Sequence, residues 1–180
     1  MIVLFQIICR SVTKRTPLTV GVFQNQTPEE INAIIDETGI DLVQLHGQET
    51  PDVIDTIKAP CIKVLHIPSS GNSKDSDAAV LMEAHAFSHK AIALLLDTKI
   101  SGDSSGGTGV TFDWDIVDRI DLPVILAGGL HEGNILDAMS VNGVIGVDAS
   151  SGLEIDPIEL PGEKDIRKLR NYITKIRPLK

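Results

Sequence analysis

Asp97 stands at the end of an unbroken apolar run, Leu94-Leu95-Leu96-Asp97-Thr98, and a glycine-rich stretch follows it, Gly106-Gly107-Thr108-Gly109-Val110-Thr111-Phe112-Asp113-Trp114. A carboxyl at a strand end sits at the rim of a sheet, partly withdrawn from water, where its pKa rises toward the range useful for general acid work. The plainer reading is an Asx turn closing a strand. A second segment, Pro123-Val124-Ile125-Leu126-Ala127-Gly128-Gly129-Leu130, sets paired glycines directly after another apolar run. Backbone N–H groups there can approach a phosphate closely. A third, from Gly143 through Asp148 to Ser150, Ser151, Gly152 and Glu154, places small and hydroxyl residues at the start of an expected short helix. Free N–H groups and the helix dipole favour an anion at such an end.

These groups need elements to hold them. Apolar, β-branched runs at Met1–Cys9, Leu18–Phe23, Leu42–Leu45, Ile62–Leu65, Ala91–Leu96, Val124–Ala127 and Val144–Val147 give seven expected strands. Most are continuously apolar, the pattern of parallel strands covered on both faces. Between them, Thr27-Pro28-Glu29-Glu30 reads as a capping box with proline in the first turn, Ile31, Ile34 and Ile35 form a buried stripe, and Gly39 ends the helix. Thr50-Pro51-Asp52 opens the next helix, and Lys74–Ser88, Phe112–Ile120, Glu132–Ser140 and Lys164–Ile176 carry helical patterns. Alternation sustained to the C-terminus means right-handed crossovers in a parallel sheet, either a barrel or an open doubly wound sheet. No G-x-G-x-x-G follows the first strand, while the glycine and polar residues follow the later ones, as in barrels that bind phosphate after strands seven and eight. Ser101–Gly109 is polar and glycine-rich enough to be a functional loop.

With 180 residues and 42% hydrophobic content, residues 1–180 read as one domain. The net charge of −9 disfavours nucleic acid or an anionic membrane as partner, so a phosphate ligand must be held locally. Cys9 and Cys61 form neither a disulfide framework nor a metal pair, which fits a reducing, cytoplasmic setting. The opening run is shorter than the roughly 20 residues of a membrane helix and lacks the flanks of a signal peptide. Cys61 reads as a small buried residue. His85 and His89 share a helix face without an acidic companion and read as solvated, whereas His66 either lines the site or is structural. No metal site is expected.

In this order the three motif segments resemble phosphoribosylanthranilate isomerase of tryptophan biosynthesis, with fungal members nearest. Val20–Gln26 and Asp41–Gly47 look like the third and fourth strands of that family, and Pro161–Asp165 is similar to its approach to the last helix. The resemblance implies an incomplete TIM (β/α)8-type barrel of about seven parallel strands. It implies an Amadori rearrangement of N-(5-phosphoribosyl)anthranilate without cofactor or metal, with Asp97 protonating the ribose ring oxygen. Gly128, Gly129, Ser150 and Ser151 would hold the phosphate, with His46 and Asp148 near the anthranilate moiety. The family opens on a Lys-x-Cys-Gly strand whose cysteine is the general base. Here Leu4–Cys9, followed by Thr13-Lys14-Arg15-Thr16, looks like the second strand and its loop, with Arg15 matching the arginine that faces the substrate carboxylate. That alignment leaves out the first strand, first helix and most of the second helix, and the base with them. A rival alignment sets Cys9 on the base cysteine and deletes strand two, although Gln6 and Arg10 depart from the expected Lys and Gly. The expectation is a chain that binds the phosphoribosyl substrate but isomerises it weakly unless Cys9 substitutes. The alternative is a non-catalytic phosphosugar-binding barrel remnant. Unclosed sheet edges would invite self-association.

Overall fold

A computed structural model describes residues 4–7, 18–68, 74–99, 111–160 and 162–176. Seven strands form one sheet in chain order: β1 (Leu4–Ile7), β2 (Leu18–Phe23), β3 (Leu42–Leu45), β4 (Cys61–Pro68), β5 (Ala93–Lys99), β6 (Val124–Leu126) and β7 (Val144–Val147). From β2 to β7 every neighbouring pair is parallel. Crossovers pass through α1 (Pro28–Thr38), α2 (Pro51–Ile54), α3 (Lys74–Ala86), a 3₁₀ helix at Trp114–Arg119 and α4 (Ile135–Ser140), and α5 (Ile166–Ile176) follows β7. Each strand pairs with the next in sequence. A doubly wound sheet instead reverses its order at a switch point. The result is six parallel strands of a curled half-barrel.

The opening strand corrects the expectation of seven parallel strands: β1 runs antiparallel to β2, with Leu4 opposite Gly21 and Ile7 opposite Leu18. Only residues 8–17 join the two strands. A parallel connection needs a crossover of a dozen or more residues, usually a helix, so a reversal is the accessible geometry.

Period-two alternation splits the strands between two apolar layers. Val43, Leu45, Cys61, Leu65, Leu94, Leu96, Val124 and Leu126 pack with helical residues such as Ile31, Val80, Ile135 and Tyr172, and with Phe87 just after α3. The opposite face carries Ile62, Val64, Ala93, Leu95, Ile125 and Ala127, with Leu42 against them. Local signals place the first crossover as read: Thr27 Oγ1 accepts from Glu30 N–H at 3.3 Å, the Glu30 carboxylate accepts from Thr27 N–H at 2.8 Å, and Gly39 caps the C-terminus.

Two helices came out differently. Residues 112–120 were expected as a full helix and form the 3₁₀ helix, started by Asp113 accepting from Asp115 N–H. Its β-branched Ile116, Val117 and Ile120 have low helix propensity, and Pro123 follows closely. α4 begins at Ile135 because His131–Asn134 makes its own turn, with Asn134 Oδ1 accepting from His131 N–H at 2.9 Å.

Candidate active site

Alternation also decides what reaches the rim on the face away from the helices. Gln44 and His46 continue the parity of Leu42, His66 that of Ile62 and Val64, and Asp97 that of Ala93 and Leu95. The β4–β5 register sets His66 beside Asp97. His66 Nδ1 lies 3.9 Å from Asp97 Oδ2, and the His46 and His66 rings are 5.1 Å apart between centroids. At 3.9 Å the pair is within charge range but beyond a hydrogen bond. The Gln44 amide reaches His46 Nδ1 at 3.3 Å.

Electrostatics follow from partial burial. Burial pushes the Asp97 carboxyl above its ordinary value, and His66 and His46 pull against that rise. Burial lowers the His46 pKa, and His66 lowers it further. Asp148 extends the β6–β7 ladder by donating its N–H to Leu126 O at 2.8 Å. Its carboxyl is pushed up by burial first and by Asp97 second. Two carboxyls at one rim therefore feel each other.

The Gly128–Gly129 and Ser150–Ser151 segments lie directly beside this group. Gly128 has φ +77°, and a Cβ there would fall 2.5 Å from Thr98 N, so the end of β5 and the loop after β6 meet backbone to backbone. A Cβ on Gly152 would run into the Leu130 carbonyl oxygen, which joins the loops after β6 and β7 in the same way. Among the described residues, the N–H groups of Gly128, Gly129, Ser150 and Ser151 donate to no backbone carbonyl. Lys164 Nζ donates to Ser150 O and Oγ at 3.0 Å and to Glu154 at 2.7 Å, fixing the Ser150 loop. Asp97, His46, Asp148, Gly128, Gly129, Ser150 and Ser151 are thus gathered on adjoining strand ends. Cys9 and Arg15, and the loop 101–109, lie outside the described residues. Cys61 packs in the helix-side core, and burial pushes its thiol up to about 12, so it carries no reactive thiolate.

A family model described as N-(5'phosphoribosyl)anthranilate (PRA) isomerase matches residues 3–175. The chain belongs to this family. A tryptophan biosynthesis protein of Phytophthora nicotianae is 40% identical over 171 residues, covering 93% of this chain and 32% of that protein. The chain therefore spans about a third of the length of that curated relative. The crystal structure of phosphoribosyl anthranilate isomerase from Thermus thermophilus aligns with a TM-score of 0.67 and 29% identity, over 88% of this chain and 72% of that one. A phosphoribosyl anthranilate isomerase in complex with reduced 1-(o-carboxyphenylamino)-1-deoxyribulose 5-phosphate aligns with a TM-score of 0.63 and 28% identity, over 87% and 70% of the two chains.

Within this isomerase fold, sequence reasoning missed Lys63 and Glu49. Lys63, on the helix side of β4, is 1% exposed and Glu49 is 7% exposed. Lys63 Nζ donates to Gly47 O and to Glu49 Oε2, the latter at 2.9 Å. Glu49 also accepts from Gly47 N–H at 2.9 Å and Asn25 N–H at 2.8 Å. Burial raises the Glu49 pKa, but the Asn25 and Lys63 hydrogen bonds outweigh it and hold the carboxyl below its ordinary value. This knot fixes the loop that follows His46. A lysine inside the apolar run Cys61–Leu65 was the available signal. His66, left open from sequence, lines the site.

Proposed function

We propose that the chain is a phosphoribosylanthranilate isomerase that carries out the Amadori rearrangement of N-(5-phosphoribosyl)anthranilate to 1-(2-carboxyphenylamino)-1-deoxyribulose 5-phosphate. The observation that carries this reading is the packing of the Thr98, Gly128–Leu130 and Ser150–Gly152 backbones into one continuous rim beside Asp97. In a protein of net charge −9, that rim supplies what a phosphate needs locally: N–H groups without backbone acceptors. The analogue held by the family member of known structure has the same phosphate, pentose-derived chain and carboxyphenylamino group.

In the proposed reaction Gly128, Gly129, Ser150 and Ser151 hold the phosphate and thereby set the pentose against Asp97. Asp97 gives a proton to the ring oxygen as the C1–O bond opens, leaving an iminium at C1. A base then takes the C2 proton, its electron pair forms the enolamine, and ketonisation completes the isomerisation with no external oxidant or reductant. His46 and Asp148 would lie near the anthranilate moiety, and Arg15 is the residue that matches the arginine meeting the substrate carboxylate in the family. Among the described residues Cys61 is excluded as the base by its burial in the other layer. β1 ends beside Leu18, at the end of β2 away from the Asp97 rim, so it does not take the place of the strand that carries the family's base, and proton removal is the weak step of this chain. The setting is cytoplasmic, and no described helix is long and apolar enough to cross a membrane.

The test is turnover of N-(5-phosphoribosyl)anthranilate by the chain, followed as loss of anthranilate fluorescence. Asp97→Asn keeps the shape and removes the proton, so the rate should fall by a factor on the order of 10² or more. Cys9→Ala should leave the residual rate unchanged. Full activity in Asp97→Asn would move the acid elsewhere. Tight analogue binding without turnover would instead favour the non-catalytic phosphosugar-binding reading.

A further inference from the structure

We propose that His46, His66 and Asp97 form a binding site for one divalent transition-metal ion of the zinc class, and that the bound ion inhibits the isomerisation. One ligand atom from each of the three residues lies within 4.8 Å of the others. Around a tetrahedral zinc, with bonds of about 2.0–2.2 Å to histidine nitrogen and carboxylate oxygen, ligand atoms sit roughly 3.3–3.6 Å apart. The His66–Asp97 separation of 3.9 Å is already near that value.

Small side-chain rotations close the remaining gap, because the three residues stand on strand ends rather than on free loops. The His66 and Asp97 side chains are 33% and 28% exposed, which leaves both an entry path and room to turn. Two imidazoles and one carboxylate suit zinc, cobalt and nickel, while magnesium and calcium prefer oxygen-only sets. The Gln44 amide at 3.3 Å from His46 Nδ1 can rotate to accept from that nitrogen, an outer contact that orients the ring and leaves Nε2 for the metal. Three protein ligands leave a fourth position open to water.

Nothing in the isomerisation calls for this ion. Its consequence is inhibition: a metal on the Asp97 carboxylate withdraws that group from proton transfer. This consequence rests on the acid role proposed for Asp97, whereas binding itself does not.

The experiment is calorimetric titration of the chelator-stripped full chain with Zn2+, paralleled by Co2+ absorption spectra. One ion per chain, intense tetrahedral Co2+ bands and no response to Mg2+ are expected. His66→Ala should weaken Zn2+ binding by a factor on the order of 10² or more, since loss of even an outer-shell partner costs about 10–100-fold. The paired His85→Ala/His89→Ala variant tests the other histidine pair and should bind as the unaltered chain does. In the unaltered chain, ring-nitrogen NMR should show His46 and His66 shifting on addition of Zn2+. Unchanged affinity in His66→Ala, loss of binding in the His85/His89 variant, or ring shifts confined to other histidines would each overturn the site. Zn2+ binding at these residues without inhibition would leave the site standing and instead sink the acid role of Asp97.

Discussion

Replacing Lys63 with Met tests whether a buried ion pair positions the rim. The substitution keeps most of the aliphatic stem and removes the ammonium, leaving Glu49 with its N–H donors from Gly47 and Asn25 but no counter-charge, and leaving Gly47 O without its lysine donor. Breaking a buried pair by removing one partner costs about 3–5 kcal/mol. The surviving N–H bonds place this case near ~3 kcal/mol, since a net hydrogen bond contributes about 1 kcal/mol and two donors remain. For a domain of this size, ~3 kcal/mol lowers the melting temperature by roughly 6–12 °C. Lys58→Met is the control: its partner Asp36 is 2.6 Å away, but the two side chains are 55% and 59% exposed. Such a pair is worth no more than about 1 kcal/mol. Urea unfolding of the three proteins across pH is the assay. The sign follows from the lowered Glu49 pKa: its contribution is fully present above the ordinary glutamate value of 4.5 and is lost as pH falls through the lower folded value. The gap between the unaltered chain and Lys63→Met should therefore shrink below that pH. A gap under about 1 kcal/mol at neutral pH, or one that ignores pH, would refute the assignment of the pair as a fixed structural knot.

Two further substitutions separate ligand binding from stability. Gly152→Ala forces the loop after β7 away from the Leu130 carbonyl, so affinity for the reduced carboxyphenylamino-deoxyribulose phosphate should fall by about 10-fold or more, because small misplacements in a preorganised site are costly; calorimetric titration checks it, and unchanged affinity would mean the loops act separately. Asp148→Asn should stabilise the chain at neutral pH, since the raised folded pKa means wild-type stability declines as pH climbs from 3.8 toward that value. Thermal melts below and above that range check it, with the gain vanishing on the acid side and ligand affinity reduced throughout.

The parallel strands were legible because strands covered on both faces need uninterrupted apolar residues, and β2–β7 have them. α1 was legible to its caps because Thr27, Glu30 and Gly39 act through local hydrogen bonds. Asp97, Gly128–Gly129 and Ser150–Ser151 were findable because strand-end position follows from the run preceding each. The direction of β1 was not, since the same apolar residues suit either pairing and only the short connection decides. Lys63 and Glu49 were hidden for a different reason: residues 14 apart in sequence meet only when neighbouring βα units are assembled. His66 could be placed at a strand end, but its partnership with Asp97 depends on register, which the sequence does not print.

Whether one rim joins the proposed acid to the proposed phosphate cradle is tested by an NMR titration of the 15N-labelled chain with reduced 1-(o-carboxyphenylamino)-1-deoxyribulose 5-phosphate. At one equivalent, the amides of Gly128, Gly129, Ser150 and Ser151 should shift together with Asp97 and His46. Binding that moves other loops while these amides stay in place would contradict it.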